Sequence, residues 1–211
     1  MPSAAPSYMY LLRHGATDNN VARPPRLQGR RTDPPLSDAG RRQAQAAAAL
    51  LADYEFSAVY ASPLLRSRQT AEIIAAPHQL AVRQESGLIE VDVGDWEGRS
   101  WEQIQSSDAQ AYRLFMDDPA THPYPGGESF GQVQRRVVPV FERLLAAHPG
   151  ARIAVVGHNI VNRTYLAFLL GIPAGRAWII SQHNCGVNVV RYRQKKMELR
   201  VCNSGFHLDE E

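Results

Sequence analysis

An α/β sandwich built on a mostly parallel central sheet is the fold this sequence predicts, from three observations. Short apolar runs alternate along the chain with stretches of helical periodicity. The runs at residues 8–12, 58–62 and 153–156 are nearly continuous, as in parallel strands covered on both faces, not alternating as in half-wet ones. A chain of 211 residues with 44% hydrophobic content is large enough for one buried core and small for two.

Each element follows in order. Tyr-Met-Tyr-Leu-Leu at 8–12 reads as a buried strand that stops at Arg13-His14-Gly15. Residues 15–36 hold glycine, prolines and arginines without apolar period, a long ordered loop of the kind that carries function. Ser37 caps an alanine-rich helix running to about Ala52. A second strand at 58–62 is followed by Pro63 and a helix with Leu64, Leu65, Ala71 and Ile74 inward and Arg66 in its first turn. A short strand near 80–84 precedes Leu88-Ile89-Glu90, and 94–98 is a turn-rich loop. One or two short helices follow Ser100. Pro125-Gly126-Gly127 is a break, and Ser129 with Gln132 forms a capping-box signature. Phe130, Val133, Val137, Phe141 and Leu144 then keep helical spacing to about His148. A third strand at 153–156 stops at Gly157-His158, a helix runs to Leu170, and strands at 187–192 and 197–202 complete the sheet.

Composition narrows the function. The net charge of +2 offers no broad field for nucleic acid or an anionic membrane, so a small-molecule partner is expected. Two cysteines, Cys185 and Cys202, are too few for a disulfide framework or thiolate zinc site. The remaining histidines show no metal-ligand spacing, and neither a Walker-type phosphate loop nor a Gly-x-Ser-x-Gly elbow occurs. No stretch reaches bilayer-spanning length and residues 1–7 lack a leader pattern, so a cytoplasmic protein is expected.

The chemistry lies at strand ends. In open α/β sheets, ligands collect beyond the carboxyl ends of the strands near the switch in strand order. Three strands here end in Arg13-His14, Arg66 and His158-Asn159. If they are neighbours, two imidazoles and two guanidiniums surround one dense anion. Arginine forks match phosphate oxygens, and surrounding positive charge keeps a histidine neutral and nucleophilic. The pattern therefore points to phosphoryl transfer through His14, with Arg13, Arg66 and His158 holding the group. Glu90 is the candidate general acid for the leaving alkoxide and the base for the second step. Asp92, Asp95 and Glu97 lie close enough in sequence to compete for that role.

From Leu12-Arg-His-Gly-Ala-Thr-Asp-Asn-Asn20 onward, the chain resembles the histidine phosphatase superfamily, also called the phosphoglycerate mutase-like family. The resemblance continues through Leu27-Gln-Gly29, residues 35–40, Ser62-Pro-Leu-Leu-Arg-Ser-Arg-Gln-Thr-Ala71, Leu88-Ile-Glu90 with residues 94–98, Gly126-Gly-Glu-Ser129 and Val155-Val-Gly-His158. Together these cover about residues 8–190 in the family's order. It implies a three-layer α/β/α sandwich, one domain over 1–211 with residues 99–128 as a lid-like insertion, and no metal or organic cofactor. It also implies His14 as the phosphorylated nucleophile, Glu90 as proton donor, and His158 with Arg13 and Arg66 as the phosphate pocket. Asn20, Gln28 and Gly29 match positions that resemble substrate or phosphate contacts, Gly29 through its backbone N–H.

Two features bear on the branch. Mutases of the family carry a longer, more basic insertion, whereas the span here sets Arg99 and Arg113 against Glu102, Asp108, Asp117 and Asp118. That favours a phosphomonoesterase acting on a small phosphorylated metabolite over a primer-dependent phosphoglycerate mutase. A phosphate-binding regulator or pseudoenzyme is the alternative of another class, and it needs neither nucleophile nor proton donor. The second feature is a departure: Asn159 stands where the family often has glycine, and it could add an amide donor, with Arg163 one helical turn on. Trp96 reads as a core aromatic under its loop. An apolar sheet edge or helix face leaves room for a homodimer.

Overall fold

The computed structural model describes residues 5–208; residues 1–4 of the segment in which no leader pattern was expected lie outside them. Six strands form one sheet in the order β3-β2-β4-β1-β5-β6. β1 (Ser7–Arg13), β2 (Ala58–Ala61), β3 (Val82–Gln84) and β4 (Arg152–Gly157) run parallel, and β5 (Val187–Arg193) and β6 (Lys196–Ser204) antiparallel.

Period-two alternation of side chains sends each strand's residues to two different cores. Met9, Leu11, Ile153 and Val155 pack under α6 (Phe130–Ala146) and α7 (Asn159–Leu169). Tyr10, Leu12, Val59, Ala154 and Val156 pack under α2 (Asp38–Leu51) and α3 (Leu65–Ala75). Both faces are covered, so the three-layer α/β/α expectation holds. The continuous apolar runs arise because odd and even positions alike meet helices.

Within the long first loop the structure adds a short helix, α1 (Asp18–Val21), which apolar periodicity did not indicate. It is held locally instead: the amide oxygen of Asn20 accepts from the Thr17 backbone N–H at 3.1 Å. Leu64 caps α3 as its buried N-terminal flank and Leu65 is only half-buried, while Arg66 takes the inward position. After β3, a 3-10 turn at Ser86–Leu88 leads into Glu90, so that residue follows a turn and not a strand. The insertion at 99–128 supplies α4 (Trp101–Ser107) and α5 (Ala109–Asp117), fastened by an Arg99–Asp108 ion pair of 2.7 Å.

Strand order decides where the polar strand ends meet. β4 lies between β1 and β2, and its register with β1 sets Arg13 opposite Gly157. His14 and His158 thus leave adjacent strands at one level, and the His14 backbone N–H donates to the Gly157 carbonyl at 3.1 Å. β1 is also where the parallel half of the sheet gives way to the antiparallel half.

Candidate active site

The segment after β1 is clamped from both sides. Gly15 N–H donates to the Thr70 hydroxyl of α3 (3.0 Å), Ala16 N–H to the Gln43 amide oxygen of α2 (2.9 Å), and the His14 carbonyl accepts from Asn184 (2.8 Å). α2 approaches so closely at Gly40 that a Cβ there would stand 2.0 Å from the Ala16 carbonyl oxygen. The clamp orients His14, which is buried at 3% exposure.

The His14 ring has a defined tautomer. Nδ1 lies 2.8 Å from the Gly15 carbonyl oxygen, an acceptor only, so Nδ1 carries the proton. Nε2 is left with a lone pair, which accepts from Arg66 Nε at 3.3 Å. Burial first, then the Arg66 and Arg13 guanidiniums, hold the His14 pKa well below the ordinary imidazole value. His14 therefore presents a neutral ring with a lone pair on Nε2.

His158 lies beside it, with ring centroids 5.2 Å apart at 61°. Its two ring nitrogens are fully buried without a hydrogen-bond partner among the described residues. Buried polar groups are rarely left so, and a ligand oxygen is one remedy. Burial, then Arg66, His14 and Arg13, depress its pKa as well.

Arg66, wholly buried, is held by carbonyls: Nη2 donates to Gly29 (2.7 Å) and Nη1 to Thr32 (3.3 Å), with Asp33 at 3.8 Å. Gln28 is oriented by its neighbours. With its amide oxygen toward Arg66 it accepts from Nε (2.7 Å) and Nη1 (3.0 Å), while its nitrogen donates to the Thr17 hydroxyl (2.6 Å). Arg13 donates to the Gln182 carbonyl at 2.8 Å, and burial followed by the neighbouring Arg163 and Arg66 charges lowers its pKa to about 10, so it remains a cation at neutral pH.

Glu90 meets the N-terminal end of α7. Its carboxylate accepts from Val91 N–H (2.9 Å), Ile160 N–H (3.3 Å) and Val161 N–H (3.4 Å). Those bonds and the Arg66 and Arg13 charges favour ionisation, but desolvation outweighs them and the pKa is raised. The competing acids are engaged elsewhere. Asp92 pairs with Arg30 (2.9 Å) and Arg31 (3.0 Å), Glu97 takes the Gly29 N–H (2.8 Å) and the Thr32 hydroxyl (2.7 Å), and Asp95 is exposed.

A cavity of about 190 Å³ opens above this group, lined by Arg13, His14, Asn20, Gln28, Glu90 and Asn159 among others. The Asn20 amide oxygen accepts from the Thr17 backbone N–H and hydroxyl, both at 3.1 Å, and the residue lines the cavity. The Gly29 N–H, expected to face phosphate, instead donates to Glu97 at 2.8 Å, and the Gly29 carbonyl accepts from Arg66 Nη2 at 2.7 Å. A Cβ at Gly29 would lie 2.6 Å from the Val91 carbonyl oxygen, which explains the need for glycine there. Arg163 does not line the cavity; its guanidinium lies 5.4 Å from the centre of the Trp178 ring.

Trp96 is buried against Phe115 and Tyr124, as a core aromatic. The aromatic residues that do reach the cavity are Trp101, Tyr124 and Trp178. Sequence reading passed over them because nothing in their local pattern separates a wall residue from a core one. Among the described residues, no group of three or more histidine, cysteine, aspartate or glutamate side chains is arranged to hold a metal ion, and no helix is long and apolar enough to cross a membrane.

Residues 9–205 match the family model described as the histidine phosphatase superfamily (branch 1). Phosphoserine phosphatase 1 of Hydrogenobacter thermophilus is 30% identical over 202 residues, covering 96% of this chain and 94% of that protein. A probable phosphoglycerate mutase, GpmB of Proteus mirabilis, is 32% identical over 185 residues, 88% of this chain and 85% of that one. Among solved structures, a putative alpha-ribazole-5'-P phosphatase from Escherichia coli superimposes with a TM-score of 0.84 at 31% identity, covering 94% of this chain and 96% of its own.

Proposed function

Because the chain belongs to the histidine phosphatase superfamily, and relatives named as phosphatases support phosphatase activity, we propose that it hydrolyses a small phosphomonoester through a phosphohistidine on His14, without a metal ion. The observation that carries this reading is the pairing of a neutral, partner-oriented His14 with an unpartnered buried His158 and the Arg66 guanidinium at its Nε2.

An entering phosphoryl group takes over the donors of Arg13 and Arg66 and frees the His14 Nε2 lone pair. Nε2 attacks phosphorus in line, the bond from phosphorus to the ester oxygen breaks, and Glu90, carrying its proton, gives it to the departing alkoxide. Charge building on the phosphoryl oxygens is met by fixed cationic donors, the largest source of rate in such sites. Water then attacks phosphorus, passes a proton to the Glu90 carboxylate, and the phosphorus–nitrogen bond breaks to restore neutral His14. Gln28 and Gly29 serve by holding Arg66; Asn20 and Asn159 face the substrate. The expected setting is the cytoplasm.

The test is a phosphatase assay over a metabolite panel in the presence of EDTA, with His14→Ala as control and acid-labile phosphate on the protein measured after rapid quench. Turnover in EDTA, with labelling that disappears in His14→Ala, is expected. Undiminished turnover by His14→Ala refutes the reading, and transfer to phosphoglycerate much faster than to water assigns a mutase instead.

A further inference from the structure

The cavity has a floor and a wall of different character. The floor holds the phosphoryl chemistry. The wall is made by Trp101, Tyr124 and Trp178 with Leu27 and Val93. These come from four places far apart in sequence: the first loop, the 3-10 turn at Gly94–Trp96 and its approach, the insertion, and the 3-10 turn at Ala174–Ile179.

The wall is preformed. Trp101 and Trp178 meet edge to face at 6.3 Å between centroids, Trp178 packs on Phe130 at 4.8 Å, and Tyr124 on Phe115 at 4.3 Å. Rings locked by other rings lose little freedom on binding, so their apolar faces are available without an ordering cost. The wall offers a carboxylate little: its lining cation, Arg26, is exposed, and an ion pair there is screened by water and worth little. Arg13, His14 and Glu90 belong to the phosphoryl floor, and Arg163, which is not among the lining residues, has its guanidinium 5.4 Å from the centre of the Trp178 ring. A leaving group that bears a carboxylate would lose water here and meet aromatic faces in return, a costly exchange.

Resting on the phosphatase reading above, we infer that the substrate is a phosphomonoester of a neutral, ring-bearing alcohol, and that Trp101 and Trp178 set this preference against carboxylate-bearing esters such as a phosphorylated hydroxy-amino acid. The volume fits: about 190 Å³ exceeds the roughly 150 Å³ of an engineered apolar cavity that takes up benzene, leaving room for a phosphoryl group at the floor. Planar rings pack on indole in offset-stacked and edge-on arrangements.

The experiment compares benzyl phosphate, O-phosphoserine and ethyl phosphate, all alkyl esters, so that the ease of breaking the ester bond differs little. For wild type, kcat/KM for benzyl phosphate is expected to exceed that for each of the other two by about tenfold or more, the scale of one good aromatic contact. Trp178→Leu, which keeps apolar volume behind the wall, is expected to cut the benzyl-to-ethyl ratio by about fivefold to tenfold, mainly through KM. Trp101→Leu gives an independent second reading should the first variant fold poorly, as judged by circular dichroism. A preference for O-phosphoserine, or an unchanged ratio in folded variants, overturns the inference and leaves the phosphatase reading standing. Failure of wild type on all three esters and on 4-nitrophenyl phosphate removes the phosphatase reading and this inference with it.

Discussion

Replacing Glu90 with glutamine separates proton delivery from packing. The side chain keeps its size, and one amide oxygen still accepts from Val91 N–H or from the α7 amides, where the carboxylate now bonds at 2.9 Å and 3.3 Å. The other oxygen becomes an NH2 that faces an N–H, a lost hydrogen bond of about 1 kcal/mol. Catalysis should lose far more. General acid catalysis contributes about 10²- to 10⁴-fold, so kcat/KM for an alkyl phosphate is expected to fall by that factor in Glu90→Gln. For 4-nitrophenyl phosphate, whose phenolate departs without a proton, the loss should be at least about tenfold smaller. The quantity kcat/KM is the one to measure, because it stops at the first irreversible step and excludes hydrolysis of the phosphoenzyme.

Stability supplies a second readout with a definite sign. The folded pKa of Glu90 is raised by burial above its unfolded value of 4.5. The folded state therefore holds the proton more tightly, and wild type loses stability as pH rises from the unfolded pKa through the folded one. Glutamine does not titrate, so Glu90→Gln should be slightly less stable than wild type near pH 4 and gain on it toward neutrality. The gain is about 1.4 kcal/mol for each unit by which the pKa is raised. Thermal melts at the two pH values resolve it, since about 1 kcal/mol moves the midpoint by roughly 2–4 °C for a chain of this size. Equal catalytic losses on alkyl and nitrophenyl esters, or a stability deficit that widens with pH, would refute the assignment of Glu90 as a buried acid.

The remaining predictions concern His14 and the glycine beneath Arg66. The pKa of His14 is depressed by burial, Arg66 and Arg13, so kcat/KM should show no acid limb near the ordinary value of 6.5; a limb there that tracks His14 would contradict the buried cationic setting. The same shift means that protonation favours the unfolded chain, so wild type should lose stability as pH falls below that value, and His14→Asn should lose less of it. Gly29→Ala should cost about 1–3 kcal/mol through its clash with the Val91 carbonyl and weaken inhibition by inorganic phosphate, because Arg66 is held by the Gly29 carbonyl. Denaturant unfolding and a phosphate titration check both parts.

The polar residues at the strand ends were legible before the fold was known. Arg13, His14, Arg66 and His158 stand where apolar runs stop, and a strand end in a parallel sheet is a small region of space. What sets Glu90 apart from its acidic neighbours was not legible by spacing, since Asp92 and Glu97 lie within a few residues of it. It turned on partners more than 60 positions away, Arg30 and Gly29, which occupy those carboxylates. The role of Gly29 shows the same limit. Its presence in a loop motif was visible, but whether its N–H faced a ligand or Glu97 depended on how the loop folds back on the turn at Gly94–Trp96. Trp101, Tyr124 and Trp178 were missed as wall residues because burial against Phe115 and Phe130 on one side and a cavity on the other leaves no trace in local periodicity.

By itself the sequence determined the elements and their polarity: continuous apolar runs and helical stripes are local properties, written within ten residues or so of one another, and they oblige strands to sit beneath helices. Only the tertiary structure decided which polar groups meet. The insertion of β4 between β1 and β2 is what puts His158 against His14, and the convergence of four distant segments is what gives the cavity its aromatic wall. The physical reason is range: secondary structure answers to neighbours along the chain, whereas desolvation and charge, which set the chemistry of His14 and Glu90, answer to every group within a few ångströms in space.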